Sequence, residues 1–131
     1  MFNLVVCYFR EENRKMSITK KERFARRKKK TRSKLSGTQE RPRLCVYKSL
    51  KHLYAQVVDD TASKTLASAS TYKLTGDKGN KTDQATSIGT AIADACKSSG
   101  IQKLVFDRSG YQYHGRVKAV AEAVRAKGIE L

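Results

Sequence analysis

The sequence predicts an α/β fold, a single layered domain in the order βββαβα, in which a mixed four-stranded sheet is covered by two helices and preceded by a basic N-terminal arm. Three observations carry that prediction. Short segments between residues 44 and 71 read as strands, one of them alternating apolar and polar residues. Two segments after residue 82 repeat apolar residues at helical spacing, with one short apolar run between them. The charge is also uneven: residues 1–43 hold 15 Lys and Arg against 4 Asp and Glu, whereas residues 44–131 hold 13 against 8. A length of 131 residues corresponds to about one domain. With 39% hydrophobic and 31% charged residues, the chain is too apolar for full disorder and too polar for a membrane protein.

The folded part is expected over residues 41–131. It opens at Arg41-Pro42-Arg43, which contains the only proline, and continues into the apolar run Leu44-Cys45-Val46-Tyr47. Leu53-Tyr54-Ala55-Gln56-Val57-Val58 is a half-buried strand, because Leu53, Ala55 and Val57 share one face and His52, Tyr54 and Gln56 the other. Asp59 to Lys64 makes a turn, and the small residues of Thr65 to Thr71 form a third strand that completes an antiparallel meander. Thr82-Asp83 caps a helix with Ala85, Ile88, Ile92, Ala95 and Cys96 on one stripe, and Lys97-Ser98-Ser99-Gly100 ends it. Lys103-Leu104-Val105-Phe106 is the fourth strand, parallel to a neighbour because a helix joins it to the meander. Val117, Val120, Ala121 and Val124 define the last helix, which stops before Gly128.

Residues 16–40 form the arm. Its dense part, Lys20 to Lys34, includes Arg23, Arg26, Arg27, Lys28, Lys29, Lys30, Arg32 and Lys34, with only Phe24 and Ala25 to offer a core. Thr19-Lys20-Lys21-Glu22 has the spacing of a capping box, yet like charges along the helix oppose it in water, so the helix is expected to form on an anionic partner. A membrane surface is the poorer partner, since a membrane-binding helix needs bulky apolar residues opposite its lysines. Polyphosphate, and nucleic acid in particular, is the better one. Met16-Ser17-Ile18-Thr19-Lys20 reads as a second translation start, so residues 1–15 are expected to be a non-native or wrongly included extension. The early apolar run Leu4 to Phe9 is far short of the roughly 20 residues that span a bilayer, and Arg10 to Arg14 follow where a signal peptide would need small residues.

Enzymatic and metal readings find little support. The three cysteines, Cys7, Cys45 and Cys96, form no C-x-x-C pair, so no structural zinc site is indicated. Cys45 and Cys96 read as small buried apolar residues. Gly76-Asp77-Lys78-Gly79-Asn80-Lys81-Thr82 invites comparison with a phosphate loop, but two residues separate its glycines where four are needed, and Asn80 intervenes before Lys81. Lys78, Asn80 and Lys81 can still meet an RNA phosphate at a helix N-terminus, or belong to a plain loop. Asp59, Asp60, Asp94 and Asp107 do not assemble into two-metal nuclease chemistry, because the first strand carries no carboxylate and Asp59 and Asp60 look like turn residues. His114 has no evident Ser or Cys nucleophile to serve. A binding protein without cofactors is the expectation.

The most informative stretch is Phe106-Asp107-Arg108-Ser109-Gly110-Tyr111-Gln112-Tyr113-His114-Gly115-Arg116-Val117-Lys118. Two tyrosines, three cations and a histidine lie on a loop that runs into a helix N-terminus, with Gly115 permitting close approach. Aromatic rings stack on unpaired bases while arginines hold phosphates. The plainer alternative is that Tyr111 and Tyr113 plug the sheet edge and Asp107 pairs with Arg108.

This run resembles the large-subunit ribosomal protein L-eighteen family of bacterial type, as do Arg41-Pro42-Arg43-Leu44, Lys51-His52-Leu53-Tyr54-Ala55-Gln56-Val57 and Gly79-Asn80-Lys81. The resemblance covers about residues 17–131. It implies a ribosomal protein that binds 5S rRNA, joins it to the large-subunit rRNA in the central protuberance near ribosomal protein L-five, and catalyses nothing. It implies a basic arm that threads into RNA and a ribosome-bound protein of the bacterial cytoplasm, a plastid ribosome being the alternative. The implied contacts are Arg26, Arg27 and Lys28 in the arm; Arg43 before the first strand's apolar run; Lys51, His52, Tyr54 and Gln56 at the second strand; and Arg108, Tyr111, Tyr113, His114, Gly115, Arg116 and Lys118 in the signature. Residues 1–15 depart from the family pattern.

Overall fold

A computed structural model describes residues 18–74 and 79–131. Met16 and the fifteen residues before it, Cys7 among them, lie outside the described residues, as does Lys78. The elements are α1 (Lys20–Arg32), β1 (Arg43–Lys48), β2 (Leu53–Asp59), β3 (Lys64–Ser70), α2 (Lys81–Ser98), β4 (Val105–Asp107) and α3 (Arg116–Ala126). After α1 the order is the expected βββαβα.

The sheet order is β3-β2-β1-β4. β1 pairs antiparallel with β2 and parallel with β4, with Leu44 opposite Val57 on one side and Phe106 on the other. β4 is therefore parallel to a neighbour, as the helical connection led the sequence to predict, and the sheet order makes that neighbour β1. A register shift at Val57/Val58 bends β2 against β3. Beyond the sheet proper, Lys103 forms a parallel bridge with Glu130, so the C-terminal residues extend the edge beyond β4.

One face of the sheet is closed. Leu44 and Val46 from β1 and Leu53, Ala55 and Val57 from β2 pack against Ala85, Ile88, Ile92 and Cys96 of α2 and Val117, Val120 and Val124 of α3, all essentially without solvent exposure. Gly89 sets the distance between those helices: a Cβ there would lie 2.6 Å from the Ala123 Cβ and 2.7 Å from the Val120 carbonyl oxygen. Two details depart from the sequence reading. Helix α2 starts at Lys81, with Asn80 in the N-cap position, and not at a Thr82-Asp83 cap. Cys45 is only half-buried, because it points away from the closed face, whereas Cys96 is fully buried.

The other face carries Cys45 and Tyr47 from β1 and Tyr54, Gln56 and Val58 from β2, and it stays largely open. Helix α1 lies beside it. The capping box is formed: the Thr19 amide donates to the Glu22 carboxylate at 2.8 Å and the Glu22 amide donates to the Thr19 hydroxyl at 3.3 Å. No residue of α1 is buried. The helix is held at its inner side, where the Phe24 ring lies 5.1 Å from Tyr111 and the backbone of Lys28 passes so close to Gly110 that a Cβ there would be 3.0 Å from the Lys28 nitrogen. Gly110 has φ +82°, so close approach and backbone conformation both call for glycine.

Candidate nucleic-acid interface

The strand directions bring the candidate residues to one end of the sheet. β1 and β4 finish there and β2 begins there, so the β1–β2 turn, the start of α2 and the loop between β4 and α3 become neighbours. Two side chains tie these pieces together. Lys81 Nζ donates to the Leu50 carbonyl at 3.0 Å, and the Arg116 guanidinium donates to the Ser49 carbonyl at 3.4 Å through both terminal nitrogens. Lys81 and Arg116 therefore hold the turn that presents Lys51. Within the turn, the His52 amide donates to Ser49 Oγ at 2.9 Å and the Ser49 hydroxyl donates to the His52 carbonyl at 3.0 Å.

Neither helix that starts at this end has a side-chain cap, with Asn80 making no capping bond and Gly115 having no side chain. The first-turn amides are therefore left for solvent or an anion. At Gly115, φ is +60° and no atom lies within 4 Å of where a Cβ would stand, so the backbone there is open to close approach.

The signature loop divides its residues between holding and presenting. Asp107 is fully buried and does not pair with Arg108. It accepts from Arg43 at 2.8 Å and from the Ser109 amide at 2.8 Å, with Arg32 of α1 3.7 Å away. Arg43 also forks onto Asp60 at 2.8 and 2.9 Å, which pushes its own pKa up and pulls the Asp60 carboxyl down to about 2. Arg43 is thus committed to carboxylates inside the protein. Tyr111 is likewise occupied: its hydroxyl donates to the Lys48 carbonyl at 3.1 Å and accepts from the Lys48 amide at 3.3 Å while its ring supports Phe24. In this respect Tyr111 does plug the edge, as the plainer sequence reading had it.

Presented to solvent are Arg108, Tyr113, His114 and Lys118, together with Lys51 and Gln56. Tyr113 is steadied by Arg125, which donates to its hydroxyl at 2.7 Å, and by the edge of Phe106. Lys118 makes an exposed i,i+4 pair with Glu122 at 3.6 Å. His52 lies 3.2 Å from the Thr71 hydroxyl and meets the Tyr72 ring edge-on. On α1, Arg23, Arg26, Arg27, Lys29 and Lys30 face outward, and Lys34 follows the helix. Among the described residues no group of three His, Cys, Asp or Glu side chains is placed to hold a metal ion, and no helix is long and apolar enough to cross a membrane.

Sequence reasoning missed Tyr47, which is 58% exposed, with its ring 6.0 Å from Tyr54. The signal was present, since Tyr47 alternates with Val46 and so must point to the face opposite the core. It also missed Arg125 and Tyr72, whose partners are distant in sequence and left no local pattern.

The same residues can be compared with known proteins. Residues 18–131 match the family model described as ribosomal L18 of archaea, bacteria, mitochondria and chloroplast. The chain belongs to the ribosomal L18 family. Among the curated relatives, the large ribosomal subunit protein uL18 of Myxococcus xanthus is 55% identical over 115 residues, covering 86% of this chain and 98% of its own. Those of Herpetosiphon aurantiacus and Aquifex aeolicus are 53% and 49% identical, again over 86% of this chain and over 97% and 95% of theirs. L18 proteins are structural proteins of the ribosome and not enzymes.

Proposed function

We propose that the protein is a structural constituent of the large ribosomal subunit that binds 5S rRNA and attaches it to the large-subunit rRNA in the central protuberance, beside ribosomal protein L-five. The observation that carries this reading is the gathering, at one end of the sheet, of the β1–β2 turn, two uncapped helix N-termini and the signature loop, next to a helix almost wholly cationic on its outer side. α1 supplies affinity that does not depend on sequence, by releasing counterions from phosphates. The rigid end supplies shape, placing Lys51, Gln56, Arg108, Tyr113, His114 and Lys118 in fixed relation to one another. Lys81, Arg116, Arg43 and Tyr111 act mainly by holding that arrangement. The family relationship to bacterial relatives supports a ribosome-bound protein of the bacterial cytoplasm.

The deciding experiment is competition between 5S rRNA, transfer RNA and duplex DNA at about 0.05 and 0.2 M salt, a range over which phosphate-only binding weakens strongly. Preference for 5S rRNA that survives the higher salt is the expected result. Equal loss on all three would overturn the reading and leave a general basic binder.

A further inference from the structure

We propose that the cleft between α1 and the open face of the sheet receives one unpaired base of bound RNA, stacked against Tyr47 and Tyr54, with Lys28 and Arg32 meeting the adjoining phosphates. The proposal rests on the RNA-binding reading above and names the form of RNA that one part of the surface recognises. The cleft encloses about 630 Å³, within the roughly 300–1,000 Å³ range of small-molecule sites. Its walls are chemically unlike: α1 contributes Lys28 and Arg32, and the sheet contributes Tyr47, Tyr54, Gln56 and Cys45.

Three features point to a base. The two tyrosine rings are splayed by 42°, so they do not cover each other, and Tyr47 is 58% exposed. An aromatic face left open beside cations suits a planar ligand with an anionic tether, which is the chemistry of a nucleotide. The hydroxyls of Tyr47 and Tyr54, the Gln56 amide and the Lys28 ammonium make no hydrogen bond or ion pair among the described residues, whereas the neighbouring Tyr111 hydroxyl is fully used by Lys48. The cleft thus keeps donors and acceptors for a base edge. Finally, a paired base presents no free face to a side wall, and extruding it carries a cost in lost stacking and pairing, so such a cleft favours single-stranded or looped nucleotides over helix.

Cys45 supplies a reporter in the cleft lining, since Cys96 is buried and Cys7→Ser removes the third thiol. The labelling rate of Cys45 by iodoacetamide is measured in the full-length Cys7→Ser protein, alone and saturated with a short single-stranded RNA, the same RNA annealed to its complement, or a 5S rRNA transcript. The single strand and the 5S transcript are expected to slow labelling about tenfold, and the duplex to leave it near the free rate. The variants Tyr47→Leu and Tyr47→Leu/Tyr54→Leu should weaken binding of the single strand by about tenfold while leaving duplex affinity unchanged. Unchanged labelling with bound single strand, equal protection by duplex, or variants that bind the single strand like the parent would each overturn the proposal. The ribosomal reading fails differently, through absence of preference for 5S rRNA over transfer RNA, and protection of Cys45 by the single strand would stand without it.

Discussion

The two faces of the sheet differ in almost everything but their shared strands. The face under α2 and α3 is sealed by apolar side chains and close helix packing at Gly89. The face beside α1 is open, carries tyrosines and Gln56, and is joined to its helix by one ring contact, one glycine contact and the buried carboxylate of Asp107. The closed face gains stability from water excluded over a broad area. The open face has little such area, so the position of α1 depends on a few specific contacts and its exposed groups remain available to a ligand. The comparison teaches that stability and binding are drawn from opposite sides of one set of strands, by the alternation of residues along β1 and β2.

That division can be broken experimentally. Removing residues 1–34 deletes the ten Lys and Arg that lie between residues 18 and 34. Affinity for every RNA at low salt should fall by about a thousandfold, and the slope of log affinity against log salt should flatten by several units. The melting temperature of the remaining domain should change little, and a filter-binding series over salt checks the slope. Asp107→Ala should destabilise by about 3–5 kcal/mol, because it leaves Arg43 partly unpaired and unhooks Arg32; urea unfolding measures it. Ile92→Ala, wholly on the closed face, should cost about 2–5 kcal/mol and leave the salt slope of RNA binding untouched. A changed slope in Ile92→Ala would show that the faces are coupled.

Two smaller effects sharpen the contrast. Phe24→Ala removes the ring contact that holds α1 on Tyr111, so helical circular dichroism should drop while the main unfolding transition stays within about 1 kcal/mol. Added RNA should restore the signal, because phosphates relieve the repulsion between like charges along the helix. In acid, Asp60 contributes stability that is complete above its ordinary value near 3.8 and disappears as the pH falls through about 2. Asp60→Asn should lower stability above pH 5, where the carboxylate otherwise pairs with Arg43, and flatten the stability profile over that interval, the two proteins converging at the acid end.

Much of the fold was legible because its signals are local. Leu53, Ala55 and Val57 alternate, Ile88 and Ile92 recur at helical spacing, and Gly100 and Gly128, with φ of +74° and +87°, stand just past the ends of α2 and α3. The start of α2 was misplaced because Thr82-Asp83 is locally the better cap, whereas in the fold Lys81 already belongs to the helix and reaches the Leu50 carbonyl. The candidate interface was legible as a set of residue types on a loop before a helix. The division of labour within it was not, since Arg43 and Arg116 look like any other exposed cations until their carboxylate and carbonyl partners, 17 to 67 positions away, are in place.

The sequence by itself determined the α/β class, the strand and helix order, the concentration of charge at the N-terminus and membership of the signature loop, because composition and short-range periodicity carry each of these. Only the tertiary structure decided that Tyr47 and Tyr54 share an open cleft with Lys28 and Arg32, that Tyr111 is a prop for Phe24, and that Lys81 and Arg116 clamp one turn. The physical reason is that a side chain's role follows from which desolvated partner it meets, and those partners are brought together by strand pairing across the sheet, at sequence separations that no local pattern spans.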